Sequence, residues 1–167
     1  MLTRALDEGF GLELRAETAE DIWEVEALYD LCFAPGRSAL SSYRLRDGVP
    51  PVTGLSLVAT DHDAVAGAIR FWPVCIGNKK ALLLGPIAVH PTHQGEGVGA
   101  ALIREGLARA RDASWERVML VGDQPYYSRF GFVRLSGVEM PPPTNPERVL
   151  GLGDWADVTG SVTRDLS

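Results

Sequence analysis

Phe10 to Glu17 alternates apolar and polar positions, with Leu12, Leu14 and Ala16 in phase, as a half-buried strand does. Thr18 follows as an N-cap with Asp21 three residues on, close to a capping box. The next helix buries Ile22, Val25, Leu28, Tyr29 and Cys32 by its spacing, and Pro35-Gly36 ends it. Ser38 to Arg46 reads as a second short helix closed by Gly48-Val49-Pro50-Pro51. Two strands come next, Leu55 to Thr60 and Val65 to Ile76, joined by a polar hairpin turn at Asp61-His62-Asp63. Lys79 to Val89 is a further strand, interrupted by Gly85-Pro86. Proline has no N–H for a ladder bond, so this pair predicts a bulge or a place where neighbouring strands separate.

Gly97 to Arg111 is the clearest helix. Ala100, Ile103, Leu107 and Ala110 form one stripe, and Arg104, Glu105 and Arg109 face away from it. Arg117 to Val121 is a short apolar strand ending in Gly122-Asp123. Pro125 suits the first turn of a brief helix carrying Tyr126, Tyr127 and Phe130, with Gly131 as its stop. Phe132 to Leu135 is a strand, Met140 to Pro146 is irregular, and roughly Asp157 to Asp165 returns as one more strand. A strand–helix–strand unit needs a parallel crossover, whereas hairpins are antiparallel. The order therefore predicts an α/β fold with a mixed sheet and helices on both faces.

A length of 167 residues predicts a single domain, 1–167, and 46% hydrophobic with 23% charged residues fits a soluble globular one. No apolar run approaches the ~20 residues that span a bilayer, and the N-terminus lacks a signal-peptide pattern. The expectation is a cytoplasmic protein with no membrane association. Cys32 and Cys75 sit in apolar surroundings and read as reduced core thiols. A net charge of −6 argues against nucleic acid as the main partner and is compatible with a cationic acceptor such as an amine.

The chemistry concentrates in Gln94-Gly95-Glu96-Gly97-Val98-Gly99-Ala100, three glycines between an apolar strand and a helix. Glycine lets backbone N–H groups approach a bulky ligand, and the first N–H groups of a helix lack intrahelical partners at its positive end. The segment is thus an anion cradle suited to a phosphate or pyrophosphate. A nucleoside-triphosphate loop is excluded, because no Gly-Lys-Ser/Thr follows. A dinucleotide site is a rival: Gly95, Gly97 and Ala100 match G-x-G-x-x-A, with Asp123 ending the next strand. Against it, His90 to Gln94 intervene after the strand, the loop lies past the middle of the chain, and only about 45 residues follow Asp123.

The third reading is an acyl-coenzyme A site. Gln94, Gly97 and Gly99, preceded by Ile87-Ala88-Val89-His90-Pro91 and followed by Tyr126-Tyr127-Ser128-Arg129-Phe130-Gly131-Phe132, resemble the signature of the GNAT superfamily of N-acetyltransferases. These pieces stand in the superfamily's order over residues 82 to 133, about a third of the chain. The resemblance implies a GNAT fold, with a mostly antiparallel central sheet of about seven strands splayed at the middle. It also implies acetyl-coenzyme A as acyl donor and a small-molecule or peptide amine as acceptor, attacked directly in a ternary complex. A non-catalytic acyl-coenzyme A sensor on the same fold is the alternative, and a homodimer is left open.

By the same resemblance, the pyrophosphate lies on the backbone of Gly95, Glu96, Gly97, Val98, Gly99 and Ala100, beside Gln94. The pantetheine amides pair with Ile87, Ala88 and Val89, freed by the Gly85-Pro86 bulge, which also aims the thioester carbonyl at a backbone N–H. Tyr127 is the general acid for the leaving thiolate. Two departures stand out. Leu120 takes the place of an asparagine that many relatives carry seven residues before the tyrosine, so Asp123 or Gln124 replaces its contact or the contact is lost. Leu83 stands where some relatives hold a glutamate base, which leaves Asp123 or a water chain to take the amine proton. His90 and His93 have H-x-x-H spacing without a third ligand, so no metal is expected. Trp72 and Phe33 are candidates for either an acceptor pocket or the core.

Overall fold

The computed structural model of the chain describes residues 4–5, 12–33 and 44–166. The expected start of a strand at Phe10, the Pro35-Gly36 helix stop and most of the expected helix from Ser38 lie outside these residues. The described residues group into two compact units, one drawn from Met1–Pro35, Val52–Phe71 and Gly85–Ala113, the other from Gly36–Pro51, Trp72–Leu84 and Ser114–Ser167.

In the first unit, β1 (Arg4–Ala5) pairs antiparallel with β2 (Glu13–Ala16), β2 with β3 (Leu57–Asp61), and β3 with β4 (Ala64–Ile76). Leu14 and Ala16 are buried while Glu13 is exposed, as the alternation requires. β3 and β4 are joined by His62-Asp63, both at positive φ (49° and 72°), as a two-residue hairpin of the primed type demands. The β3–β4 register slips between Ala59 and Thr60, where Thr60 pairs with Val65 and Ala59 with Gly67. This bulge inserts Ala66 and brings Val65 onto the same face as Ala68.

The two faces of β4 carry different helices. On one, α1 (Ile22–Cys32) buries Val25, Leu28 and Tyr29 against Val58, Val65, Ala68 and Ala88. Arg70, on that face, donates to Glu17 at 3.0 and 2.8 Å and to Glu26 at 2.6 Å, its guanidinium 5.3 Å from the Tyr29 ring. On the other, α2 (Val98–Asp112) packs Gly106 so closely on Phe71 that a Cβ would lie 2.5 Å from the ring. Two of the expected stripes shift. Ile22 is 47% exposed, and the buried line of α2 runs through Val98, Leu102, Ile103, Gly106 and Ala110, with Ala100 and Leu107 only half-buried. On α2 the cause is that close approach: glycine at 106, which the apolar pattern passed over, lies at the contact.

Before α1, the Asp21 carboxylate accepts both Arg15 guanidinium nitrogens at 2.8 and 2.7 Å and the Thr18 N–H at 2.7 Å. The Arg15 bonds, with the Thr18 N–H, lower its pKa to about 2.

In the second unit, the start of β5 (Lys79–Val89) pairs in parallel with β6 (Arg117–Val121) at Leu82↔Val118 and Leu83↔Met119. β6 pairs antiparallel with β9 (Val149–Gly153), and β9 with β7 (Val133–Arg134). β10 (Gly160–Arg164) pairs antiparallel with the last residues of β4 and in parallel with β8 (Val138–Glu139). Trp72, Val74, Ile76, Leu83, Met119, Met140, Val149 and Val162 fill this core. β9 escaped the sequence reading because Val149-Leu150-Gly151-Leu152-Gly153 is weakened as a strand signal by two glycines. Of the ten described strands, seven have four or more residues. The sheet is mixed and mostly antiparallel, with helices on both of its faces.

Candidate active site

β5 ends at Val89, and His90 donates its N–H to the Ala66 carbonyl at 2.7 Å. Pro91–His93 is a single 3₁₀ turn whose Thr92 N–H is accepted by His90 Nδ1 at 3.2 Å. Gln94 reaches back, its Nε2 donating to the Val89 carbonyl at 3.2 Å. The glycines then do what the sequence asks of them. Gly95 and Gly97 stand at φ 83° and 81°, the left-handed region where a side chain is strained. A Cβ on Gly95 would meet nothing within 4 Å, so backbone conformation, not crowding, selects glycine there.

Gly97 is the N-cap of α2, and the first intrahelical bond runs from Ala101 N–H to the Gly97 carbonyl at 3.0 Å. The N–H groups of Val98, Gly99 and Ala100 precede that bond and have no partner within the helix. They stand at the positive end of a 15-residue helix with no acidic side chain in its first turn. Glu96, the loop's own anion, is engaged by His93, whose Nδ1 lies 2.9 Å from its carboxylate and whose Nε2 lies 3.3 Å from Asp61. Among the described residues, no group of three His, Cys, Asp or Glu side chains could hold a metal ion.

The backbone polar groups of a strand alternate between its edges. His90 is bonded to β4, so Ala88 shares its β4-facing phase, while Ile87 and Val89 face the other edge. The Val89 carbonyl is already taken by Gln94 Nε2 and by Cys32 Sγ at 3.4 Å. Gly85 stands at φ 128°, and Pro86 carries no N–H. Past Gly85-Pro86, the first N–H in this phase is that of Ile87.

Tyr127 lies in the other unit, on α3 (Gln124–Tyr127), which Pro125 starts and a 3₁₀ turn at Ser128–Phe130 with Gly131 at φ 94° ends. Its ring makes edge or tilted contacts with Tyr126, Phe130 and Phe132 at centroid distances of 4.9, 6.3 and 6.1 Å. It also lies on the Gly122 backbone, where a Cβ would come within 2.6 Å of it. Burial, with the neighbouring Tyr126, pushes the phenol pKa up, so the proton is held at neutral pH. Asp123 is the N-cap residue of α3, yet its side chain makes no capping bond. Leu120 and Leu83 are fully buried, as expected of core positions, and Trp72 is buried with Arg46 over its ring at 5.4 Å.

Residues 53–134 match the family model described as acetyltransferase (GNAT) domain. The uncharacterized N-acetyltransferase YhbS of Escherichia coli is 33% identical over 123 residues, 71% of this chain and 72% of that protein. This chain belongs to the GNAT family of N-acetyltransferases. Solved GNAT structures agree over nearly the whole chain. Escherichia coli YhbS in complex with coenzyme A superposes with a TM-score of 0.80 at 28% identity, covering 97% of this chain and 94% of that one. A GNAT acetyltransferase from Brucella melitensis in complex with acetyl-coenzyme A gives 0.72 at 32% identity, covering 93% and 96%.

Within this GNAT chain, the sequence-predicted residues divide between the units: residues 87–89 and 94–100 in the first, Tyr127 in the second. The sequence reading missed the side chains that reach the backbone of β5 from α1. Tyr29 Oη donates to the Pro86 carbonyl at 3.0 Å, and Cys32 Sγ to that of Val89. Both partners are 57 residues away, so no local pattern marks them.

Proposed function

We propose that this chain acts as a single catalytic domain that transfers an acetyl group from acetyl-coenzyme A to an amine by direct attack in a ternary complex. The observation that carries this reading is the anion cradle: two left-handed glycines leading into three helix N–H groups without intrahelical partners. The family, and the coenzyme A and acetyl-coenzyme A complexes of YhbS and the Brucella enzyme, support the choice of ligand.

In this reading the pyrophosphate takes the N–H groups of the 95–100 segment, with Gln94 bracing the loop against Val89. The pantetheine amides pair with the open edge at Ile87 and Val89, where the Val89 N–H and the Ile87 carbonyl serve, and Ala88 supports them from the β4 side. The Ile87 N–H receives the thioester oxygen. The amine nitrogen attacks the carbonyl carbon, a C–N bond forms and the C–S bond breaks. Tyr127 gives its phenolic proton to the departing sulfur, and the surplus amine proton leaves through Asp123 or a water chain. The acceptor is a small-molecule or peptide amine.

Gly97→Val tests the cradle. The Cβ is forced into left-handed φ, at a stability cost of about 1–2 kcal/mol, and shields the N–H groups behind it. By calorimetry the variant loses coenzyme A affinity while circular dichroism shows a folded protein. Retained affinity in the folded variant would put the pyrophosphate elsewhere.

A further inference from the structure

The peptide between Pro86 and Ile87 has two working ends. Its six atoms are coplanar, with C=O and N–H pointing in opposite directions. Tyr29 Oη donates to the carbonyl end at 3.0 Å, and the N–H end is the first donor after Pro86 in the phase that faces away from β4. Whatever fixes the carbonyl therefore fixes the direction of the N–H. A hydrogen bond accepted by an amide carbonyl also polarises the amide and strengthens its N–H as a donor.

The donor is itself held firmly. The Tyr29 side chain is 0% exposed, between Val25, Leu28 and the strands beneath α1. Arg70 stands over its ring at 5.3 Å, anchored by Glu17 and Glu26, and a cation so placed draws electron density from the phenol and makes its O–H a stronger donor. One helical turn further along α1, Cys32 holds the Val89 carbonyl. Two side chains of one helix thus grip β5 on either side of Ile87. A tyrosine needed only for packing would serve as well without its hydroxyl.

We infer that Tyr29 is a positioning residue for acetyl transfer, which orients and polarises the Pro86–Ile87 peptide so that its N–H meets the thioester oxygen. This rests on the acetyl-coenzyme A reading above and assigns that site a control on α1, outside the loop and apart from Tyr127.

The test requires no acceptor. Infrared difference spectra of acetyl-coenzyme A carrying a ¹³C carbonyl report how strongly the bound thioester C=O is hydrogen-bonded, and calorimetry with coenzyme A reports the rest of the site. In the wild-type chain the bound C=O stretch is red-shifted. In Tyr29→Phe, which keeps the ring, the red shift falls by roughly 10–30%, the scale of strengthening along a hydrogen-bond chain, while coenzyme A affinity stays within about twofold. An unchanged red shift, or a parallel loss of coenzyme A affinity, overturns the proposal in favour of packing alone. If Tyr29→Phe does not fold, 3-fluorotyrosine at position 29 keeps the shape and makes a stronger donor. The red shift must then increase, and a constant or smaller shift overturns the proposal. A wild-type chain that binds coenzyme A with no thioester shift removes Ile87 as donor and Tyr29 with it, leaving the family reading intact. A wild-type chain that binds neither ligand removes the acetyl-coenzyme A reading itself.

Discussion

Tyr127 is the residue proposed to give its proton to the departing sulfur. Its ring is packed on Gly122 and against three other aromatic side chains, and burial raises the phenol pKa. A general acid with a raised pKa keeps its proton to higher pH. Turnover should accordingly hold through neutral pH and fall only above the usual phenol range. Tyr127→Phe should lower kcat by about 10²-fold or more and abolish that alkaline limb. A pH–rate profile of the variant that keeps the limb would assign it to another group. At this scale the glycines were legible in the sequence, because left-handed φ is a local requirement at Gly95 and Gly97. Tyr29 was legible only as an apolar core residue. Its hydroxyl's partner is distant in sequence, and no periodicity encodes a hydrogen bond to a carbonyl 57 residues on.

Among the elements, the junction between β2 and α1 is set by Asp21. Its carboxylate is 8% exposed and bonded to Arg15 and Thr18, with a pKa near 2. A carboxylate whose pKa is depressed on folding contributes stability that is present above the unfolded value near 4 and is lost as pH falls through about 2. Asp21→Asn should therefore unfold with a loss of about 2 kcal/mol at pH 7. In thermal melts the gap to wild type should close as the pH drops toward 2. The central helix offers the opposite lesson about glycine. Gly106→Ala raises intrinsic helix propensity by up to ~1 kcal/mol, yet its Cβ would lie 2.5 Å from the fully buried Phe71 ring. The net effect should be a loss of roughly 1–3 kcal/mol from overpacking, read from denaturant unfolding, and a stabilised variant would contradict the packing described. The central helix also shows why the pattern of apolar positions misplaced its stripe. It weighs side chains, and at Gly106 the close contact is made by the absence of one. The bulge at Ala66 likewise resets the strand's phase where strict alternation predicts none.

Taken as a whole, the chain shows which parts of a GNAT fold are written locally. The hairpin, the glycine loop, the helix after it and the tyrosine helix each carry their own turn or cap residues, and all form as read. β7 to β10 draw their pairing from distant partners. β10 bonds both to β4 and to β8, and β9 sits between β6 and β7. Such long-range choices leave little trace in a single sequence. No described helix is long and apolar enough to cross a membrane.

The claim on which everything else depends is that the glycine cradle takes the pyrophosphate of coenzyme A and not that of a dinucleotide. Thermal unfolding with acetyl-coenzyme A, free coenzyme A and NADH, run side by side, tests it directly. At 100-fold excess over its Kd, a ligand that binds only the native state adds about 2.7 kcal/mol, a rise in Tm of roughly 5–10 °C for a domain of this size. The account predicts that rise with both coenzyme A ligands and none with NADH. A rise with NADH alone would contradict it.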